Sequence, residues 1–152
     1  MRTQLCILAS LIVCVFACSN EQKRTIAHDN SIDSVTKIEM KLSAFGVESD
    51  DYPSIDVMID FSKDTSICIR SFYNPANKGS TYSLTKSEMA AVSSLLNITD
   101  LKSLKEKYTV DKTDEPRSKT TIYTTEGTFI IDDYGLEGEY PLQKLYKIVY
   151  RI

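Results

Sequence analysis

The side chains that could do covalent chemistry are few and unevenly placed. The sequence has four cysteines and one histidine, His28, which lies in a polar stretch near the N-terminus. Nucleophilic catalysis by serine or cysteine usually needs a histidine as the base, and the region that we expect to fold, residues 36–152, has none. Cys68 stands between two isoleucines of a predicted strand, which is typical of an inert, buried thiol. We therefore predict no catalytic residue.

Carboxylates are the remaining source of acid–base chemistry. Asp132 and Asp133 are adjacent, and acidic residues also cluster at 48–51 and at 111–115. Two acids on separate elements could hydrolyse a glycosidic bond, and several could bind calcium. However, no run has the ligand spacing of a calcium loop, and acidic turn residues are usually solvated. We predict no metal ion and no other cofactor, and keep a carboxylate-dependent hydrolase as an alternative.

The N-terminus has the layout of a secretory signal peptide. Arg2 is followed by an apolar run, Leu5 to Phe16, in which Ser10 is the one polar interruption. A membrane-spanning helix needs about 20 apolar residues, and this run is much shorter. We therefore predict that residues 1–17 are a signal peptide and not a permanent anchor.

Cys18 follows Val15, Phe16 and Ala17, and this tetrapeptide resembles the lipobox of bacterial lipoproteins. The resemblance implies cleavage before Cys18 and acylation of its sulfur, with palmitate or similar chains. Each buried methylene contributes about 0.8 kcal/mol, so several chains hold a protein durably. Plain cleavage after Ala17, which would leave a free thiol, is the alternative. The resemblance implies an exported lipoprotein of the cell envelope, and Ser19 favours the outer membrane, facing the periplasm or the cell surface.

The other cysteines agree with this location. Cys6 and Cys14 would leave with the signal peptide, so that Cys68 would be the only cysteine of the folded region and no disulfide could form within it. A chain of this size can be stabilised by its core alone. Loss of Arg2 would leave 17 basic and 21 acidic residues. An exported acidic domain is a poor nucleic-acid binder, so we predict no nucleic-acid partner.

Residues 18–35 are almost wholly polar and lack periodicity. We predict a flexible tether, which would hold the domain about 20 to 25 Å from the membrane on average. His28 lies in this tether and is expected to be a solvated side chain.

A single domain is predicted for residues 36–152, where apolar and polar residues first alternate with period two. Ile38, Met40 and Leu42 alternate with charged residues, which indicates a strand with one dry and one wet face. Similar patterns and polar turns predict two antiparallel hairpins. The predicted strands cover residues 36–44, 55–61, 65–73, 119–125 and 128–133.

Three helices are also predicted. Thr85 and Glu88 have the spacing of a capping box, which starts the first helix, and Asn97 is a candidate left-handed stop. Thr99 is expected to cap a short helix in which Leu101, Leu104 and Tyr108 can face inward. Pro141 suits the first turn of the last helix. The apolar residues expected to dock that helix are Leu142, Leu145, Tyr146, Ile148, Val149 and Ile152.

The predicted fold class is therefore α+β. It is a mostly antiparallel sheet of about five strands packed against two main helices, in the order β-β-β-α-α-β-β-α. The order of the strands within the sheet is not determined by these patterns.

The motifs DYP at 51–53, RSFYNP at 70–75 and DDYGLEGEYPLQKLYKIVYRI at 132–152 resemble a family of small exported bacterial proteins and lipoproteins. That family is known as domain of unknown function 6438, and the resemblance covers residues 36–152. It implies the fold and the location given above. It implies no catalytic residue, because the family has no agreed activity.

Tyrosines are the remaining candidates for binding. The sequence has nine tyrosines and no tryptophan, and Tyr73, Tyr82, Tyr134 and Tyr140 lie near predicted loop ends. Tyrosine is favoured in protein interfaces, although it can equally cap the rim of a core. We predict a non-catalytic, membrane-tethered domain that binds a macromolecule of the envelope, such as an envelope protein. The alternatives are the hydrolase and a sugar-binding or inhibitor-like module.

Overall fold

The computed structural model describes residues 34–44, 47 and 49–152. The predicted signal peptide, Cys18 and residues 19–33 of the predicted tether lie outside the described residues. Among the residues that are described, no helix has the length and apolar character needed to span a membrane.

The described residues form one seven-stranded sheet. The strands are β1 (Val35–Ser43), β2 (Ser54–Asp60), β3 (Thr65–Ser71), β4 (Ser80–Tyr82), β5 (Lys107–Tyr108), β6 (Arg117–Thr124) and β7 (Thr128–Tyr134). Their spatial order is β4-β3-β2-β1-β6-β7-β5, and neighbouring strands are antiparallel except β5 and β7, which are parallel. The helices are α1 (Lys86–Leu95), α2 (Ile98–Ser103) and α3 (Leu142–Val149).

The α+β class and the mostly antiparallel sheet are confirmed, and the count of about five strands is roughly matched by the seven strands of the described residues. The two additional strands, β4 and β5, are only three and two residues long. Alternation cannot reveal segments this short, since a period-two pattern needs at least four residues. The expectation of two main helices is also only roughly matched, because the described residues form three helices, of which α2 is short.

The core lies between one face of the sheet and the helices. Ile38, Met40 and Leu42 of β1 are buried, as their alternation predicts. Along β2 and β6 every second residue is also buried, and the core face of the sheet packs with the apolar side chains of the helices. The opposite face of the sheet is not covered by any described element.

The start of α1 is confirmed, and the start of α2 is corrected. The Thr85 hydroxyl oxygen accepts from the backbone N–H of Glu88, and the Glu88 carboxylate accepts from the N–H of Thr85. Asn97 is not a left-handed stop. Its φ is −98°, and its side-chain oxygen accepts from the N–H of Asp100, so that Asn97, and not Thr99, caps α2.

The predicted inward stripe of α2 is also shorter than expected. The N–H of Leu104 bonds to the Leu101 carbonyl, and Leu104 then turns to extended backbone, which ends the helix at Ser103. The Leu104 side chain is half-buried, whereas Tyr108, expected on the same helix, is buried in β5.

The C-terminal end of α3 is fastened to the far strands of the sheet. The Tyr82 hydroxyl donates to the Val149 carbonyl (2.8 Å), and Arg70 donates to the Tyr150 carbonyl (2.9 Å). These bonds satisfy carbonyls that the end of a helix leaves unpaired. Tyr150 is fully buried, while Ile152, which we expected to dock, lies beyond the helix and is exposed.

Candidate interaction surface

The uncovered face of the sheet is built by the residues that alternate with the core. In register across β3, β2, β1, β6 and β7, one row of this face contains Ile67, Met58, Glu39, Thr121 and Ile130. The next row contains Ile69, Asp56, Lys41, Lys119 and Asp132. The rows run from apolar at β3 to charged in the centre of the sheet.

An apolar strip, formed by Met58, Ile67 and Ile69, occupies the β2–β3 side of this face. Each of these side chains is between 38 and 47% exposed, and Met58 lies directly opposite Ile67 in the ladder. The strip borders a depression of about 350 Å³ that extends to Glu39 and Lys119. Adjacent exposed apolar side chains rimmed by polar ones are typical of interaction sites.

Ion pairs occupy the centre of the face. Lys37 lies 2.5 Å from Glu39, which also accepts from the Tyr123 hydroxyl at 2.9 Å, and Lys41 lies 3.6 Å from Asp56. The Lys37 and Tyr123 donors lower the pKa of Glu39 below its ordinary value. Such exposed pairs contribute about 0 to 1 kcal/mol each. Their main effect is to place both signs of charge beside the apolar strip, which can orient a partner.

A further ion pair, between Arg117 and Asp132, lies at the β7 side of the uncovered face. Both guanidinium nitrogens Nε and Nη2 of Arg117 donate to the carboxylate of Asp132, which lowers the pKa of that carboxyl. Asp132 is therefore a charged and engaged group at neutral pH.

Asp133, the second member of this acidic pair, points to the opposite face and is completely buried. Its carboxylate accepts from the N–H groups of Glu137 and Gly138, each at 2.8 Å, and from the Tyr146 hydroxyl at 2.9 Å. Burial nevertheless raises the pKa of Asp133 above its ordinary value. These contacts hold the loop that leads from β7 into α3. The two adjacent carboxylates thus serve separate faces of the sheet.

The four tyrosines that we predicted as binding residues do not share one surface. Tyr82 is half-buried and its hydroxyl is used at the end of α3. The Tyr134 hydroxyl accepts from the N–H of Glu115 at 3.3 Å. Tyr140 is exposed beside the Lys144 ammonium, which lies 5.3 Å from its ring centre. Tyr73 is 86% exposed at the end of β3. No contact between any two of these rings is found among the described residues.

Tyr73 borders a cavity of about 480 Å³. Phe72, Asp50 and the serine hydroxyls also line it, at the ends of the strands where β1, β2 and β3 meet their loops. The serines that line it are Ser49, Ser54 and Ser71. An exposed aromatic ring beside several hydroxyl groups and one carboxylate is suited to small polar ligands.

Two other sequence expectations concern reactivity. Cys68 is fully buried, and burial raises the pKa of its thiol, as expected for an inert cysteine. In the described part of the chain, no group of three or more histidine, cysteine, aspartate or glutamate side chains is arranged to hold a metal ion.

Comparisons of the chain with protein-family models, with curated proteins and with solved structures find no match. The resemblance to the exported-protein family therefore stays a prediction.

The apolar strip was not among our sequence candidates, although the sequence carries a signal for it. Met58 falls on the wet side of β2, between Asp56 and Asp60, and Ile67 and Ile69 flank Cys68 on the side away from the core. Apolar residues on the polar phase of two paired strands indicate a surface patch.

Proposed function

We propose that this protein is an envelope lipoprotein without catalytic activity that is tethered through Cys18 and binds a macromolecular partner. The uncovered face of the sheet is the contact surface in this proposal. The observation that carries it is the apolar strip of Met58, Ile67 and Ile69, which lies exposed beside ion pairs of both signs.

Physical reasons favour a partner on this strip. Burial of apolar surface contributes about 25 cal/mol per Å², and the three side chains lie next to each other in the ladder. The charges beside them would fix the register and suppress wrong partners, as they do at other interfaces. A flat, mixed surface of this kind suits a macromolecule better than a small ligand.

The contact can be tested by photo-crosslinking in the native envelope. A benzoylphenylalanine at position 69 should give a discrete crosslinked product. The same group at Ala90, which is exposed on the outer side of α1, is the matched control. Met58→Lys should weaken the product from position 69. Equal products from both positions, or none above background, would contradict the proposed contact surface.

The anchor can be tested separately. Mass spectrometry of the mature protein should find residues 1–17 removed and acyl chains on Cys18, and Cys18→Ser should release the domain or leave its leader uncleaved. A bare thiol at position 18 would rule out the anchor and leave the contact surface to be judged by crosslinking.

The cavity beside Tyr73 favours a second candidate function, the binding of a sugar. The Tyr73 ring could stack on the apolar face of a sugar, while Asp50 and the serine hydroxyls bond to its hydroxyl groups. Titration with diacetylchitobiose should shift the NMR signals of these residues. Tyr73→Ala should abolish the shifts, and Tyr140→Ala, at an exposed tyrosine elsewhere, should not. Unchanged spectra on titration of the unsubstituted protein would exclude this sugar as a ligand.

A further inference from the structure

The outer edge of β7 is only partly paired. On one side β7 pairs with β6 along its whole length. On the other side β5 pairs with Asp132 and Asp133 alone. The edge of residues 128–131 has no strand partner among the described residues.

The hydrogen-bond pattern shows which groups point out from this edge. The N–H of Asp132 donates to the Glu106 carbonyl (2.9 Å), on the β5 side. Because N–H and C=O groups alternate in direction along a strand, those of Thr128 and Ile130 also point outward. Those of Phe129 and Ile131 point to β6. No hydrogen bond to the outward N–H or C=O groups of Thr128 and Ile130 is found within the described residues.

Space for another strand lies beside these groups. A cleft of about 370 Å³ is lined by Glu106, Thr128 and Ile130, and the Ile130 side chain is 53% exposed. A smaller cavity of about 90 Å³, bordered by Leu101, Leu104 and residues 128–131, adjoins the same edge. The position next to β7 that β5 fills beside Asp132 is therefore empty of any described strand beside Thr128 and Ile130.

This edge also lacks the usual protection. Residues 128–131, with the sequence TFII, carry no charge and no proline. Natural proteins usually blunt an exposed edge with charged residues, proline or a covering segment, since an unprotected edge pairs with other strands. Thr, Phe and Ile also have high strand propensity.

We infer that the edge of residues 128–131 binds an extended peptide segment of the partner protein, which adds to the sheet as an antiparallel strand. The unpaired donor and acceptor groups of Thr128 and Ile130 select an extended backbone. The Glu106 carboxylate has no ion-pair partner among the described residues, so a basic side chain opposite it would complement the site. This inference rests on the proposed function, because it names the kind of partner.

A second copy of the chain fits this edge less well. Four residues of strand span only about 13 Å, whereas a stable dimer buries about 800 Å² on each partner. A short peptide segment needs no larger area, and small apolar side chains on one side of it can reach toward Leu101 and Leu104.

The test uses a synthetic probe and the lipoprotein purified in detergent micelles. The probe is the capped pentapeptide Thr-Val-Lys-Val-Thr, whose valines lie on one side and whose lysine lies on the other. Amide exchange is followed by NMR. At a probe concentration ten times its Kd, exchange of the Thr128 and Ile130 amides should slow about tenfold, because about nine-tenths of the sites are occupied. The Phe129 and Ile131 amides already bond to β6 and should change little.

Controls separate backbone pairing from other binding. The same peptide N-methylated at its lysine loses a donor that pairing needs, and it should not protect the amides. Ile130→Pro removes an outward N–H, whereas Ile130→Ala keeps it and should retain binding. Glu106→Lys, which leaves the backbone bond to Asp132 in place, should weaken binding of the lysine peptide and favour the peptide that has glutamate in its place.

Several results would overturn the inference. Absence of protection at Thr128 and Ile130 would do so, as would equal protection by the N-methylated peptide. Self-association that is lost in Ile130→Lys would show that a second copy occupies the edge. If crosslinking at position 69 still succeeds in any of these cases, the proposed function stands and only the strand addition is wrong.

Discussion

Removal of the Asp133 carboxylate should be among the most damaging single changes in this protein. Asp133→Ala would leave three donors without their acceptor, namely the buried N–H of Gly138, the buried Tyr146 hydroxyl and the partly buried N–H of Glu137. Each unsatisfied donor costs about 1 to 3 kcal/mol. Relief of the buried charge offsets part of this sum, so we expect a loss of about 3 to 5 kcal/mol. That is a large part of the 5 to 15 kcal/mol typical of a domain.

The packing around the Asp133 carboxylate leaves little room for a water molecule to replace it. A Cβ at Gly138 would lie 2.6 Å from the Asp133 Oδ2 atom and 2.7 Å from the Leu142 Cδ1 atom. The loop can therefore come this close to Asp133 only because position 138 is glycine. A water molecule that replaced the lost carboxylate would have to fit within this tight space, so the donors should stay largely unpaired.

Urea unfolding of Asp133→Ala, Tyr146→Phe and the double variant measures the effect. Tyr146→Phe removes one donor and should cost about 1.5 to 3 kcal/mol, the usual range for a bond to a charged group. Because the two residues share a bond, the double variant should be less destabilised than the sum of the single variants. A loss of less than about 1 kcal/mol in Asp133→Ala would refute the reasoning from unsatisfied donors.

The pH dependence provides a second check. Burial raises the pKa of Asp133 in the folded protein, so the folded state holds this proton more tightly than the unfolded chain. The contribution of Asp133 to stability is therefore greatest at low pH and falls as pH rises from about 3.9, the unfolded value, through the raised folded pKa. The destabilisation caused by Asp133→Asn should be larger at pH 4 than at pH 7. The reverse order would show that the folded pKa is not raised.

Three further outcomes are expected. Thr85→Ala removes a cap of α1 and should lower the free energy of unfolding by about 1 kcal/mol, whereas Ser87→Ala, within the helix, should change it little in the same urea titration. Cys68 should resist thiol reagents until the protein unfolds, because it is fully buried and its pKa is raised; rapid labelling of the folded protein would contradict this. Asp60, whose pKa is lowered to about 2 by bonds from Ser62 and Lys63, should contribute stability above about pH 4 that is lost as pH falls toward 2, and Asp60→Asn should remove this loss from acid titrations.

The elements that the sequence predicted well are those with local, repeated signals. The alternation of Ile38, Met40 and Leu42 and the Thr85–Glu88 capping box each involve neighbours in the chain, so the pattern states the structure directly. β5 could not be found this way, because Lys107 and Tyr108 become a strand only by pairing with Asp132 and Asp133, 25 residues later. The role predicted for Asn97 was wrong because asparagine is favoured both at the end and at the start of a helix. Leu96 already ends α1, so Asn97 is left to cap the start of α2.

The candidate surfaces were harder to predict for the same reason. The four tyrosines were predicted as binding residues from their residue type and their position near loops. However, the hydroxyls of Tyr82 and Tyr134 form hydrogen bonds within the protein. The apolar strip depends on which face of the sheet the helices cover, and the open edge of β7 depends on how far β5 extends. Both properties belong to the assembled sheet. The apolar residues on the polar phase of β2 and β3 indicate a patch only once the covered face is known, and the open edge of β7 has no local signature.

The uncovered face and the β7 edge differ in the chemical groups that a partner would contact. The strip of Met58, Ile67 and Ile69 offers side chains, so that one charged substitution there can remove binding while the backbone stays intact. The edge offers backbone groups, so that Ile130→Ala should be tolerated and Ile130→Pro should not. Ile130 also belongs to the row that contains Met58 and Ile67. A partner that covers the face could therefore extend a strand onto the edge, and it would then lose affinity through either kind of change.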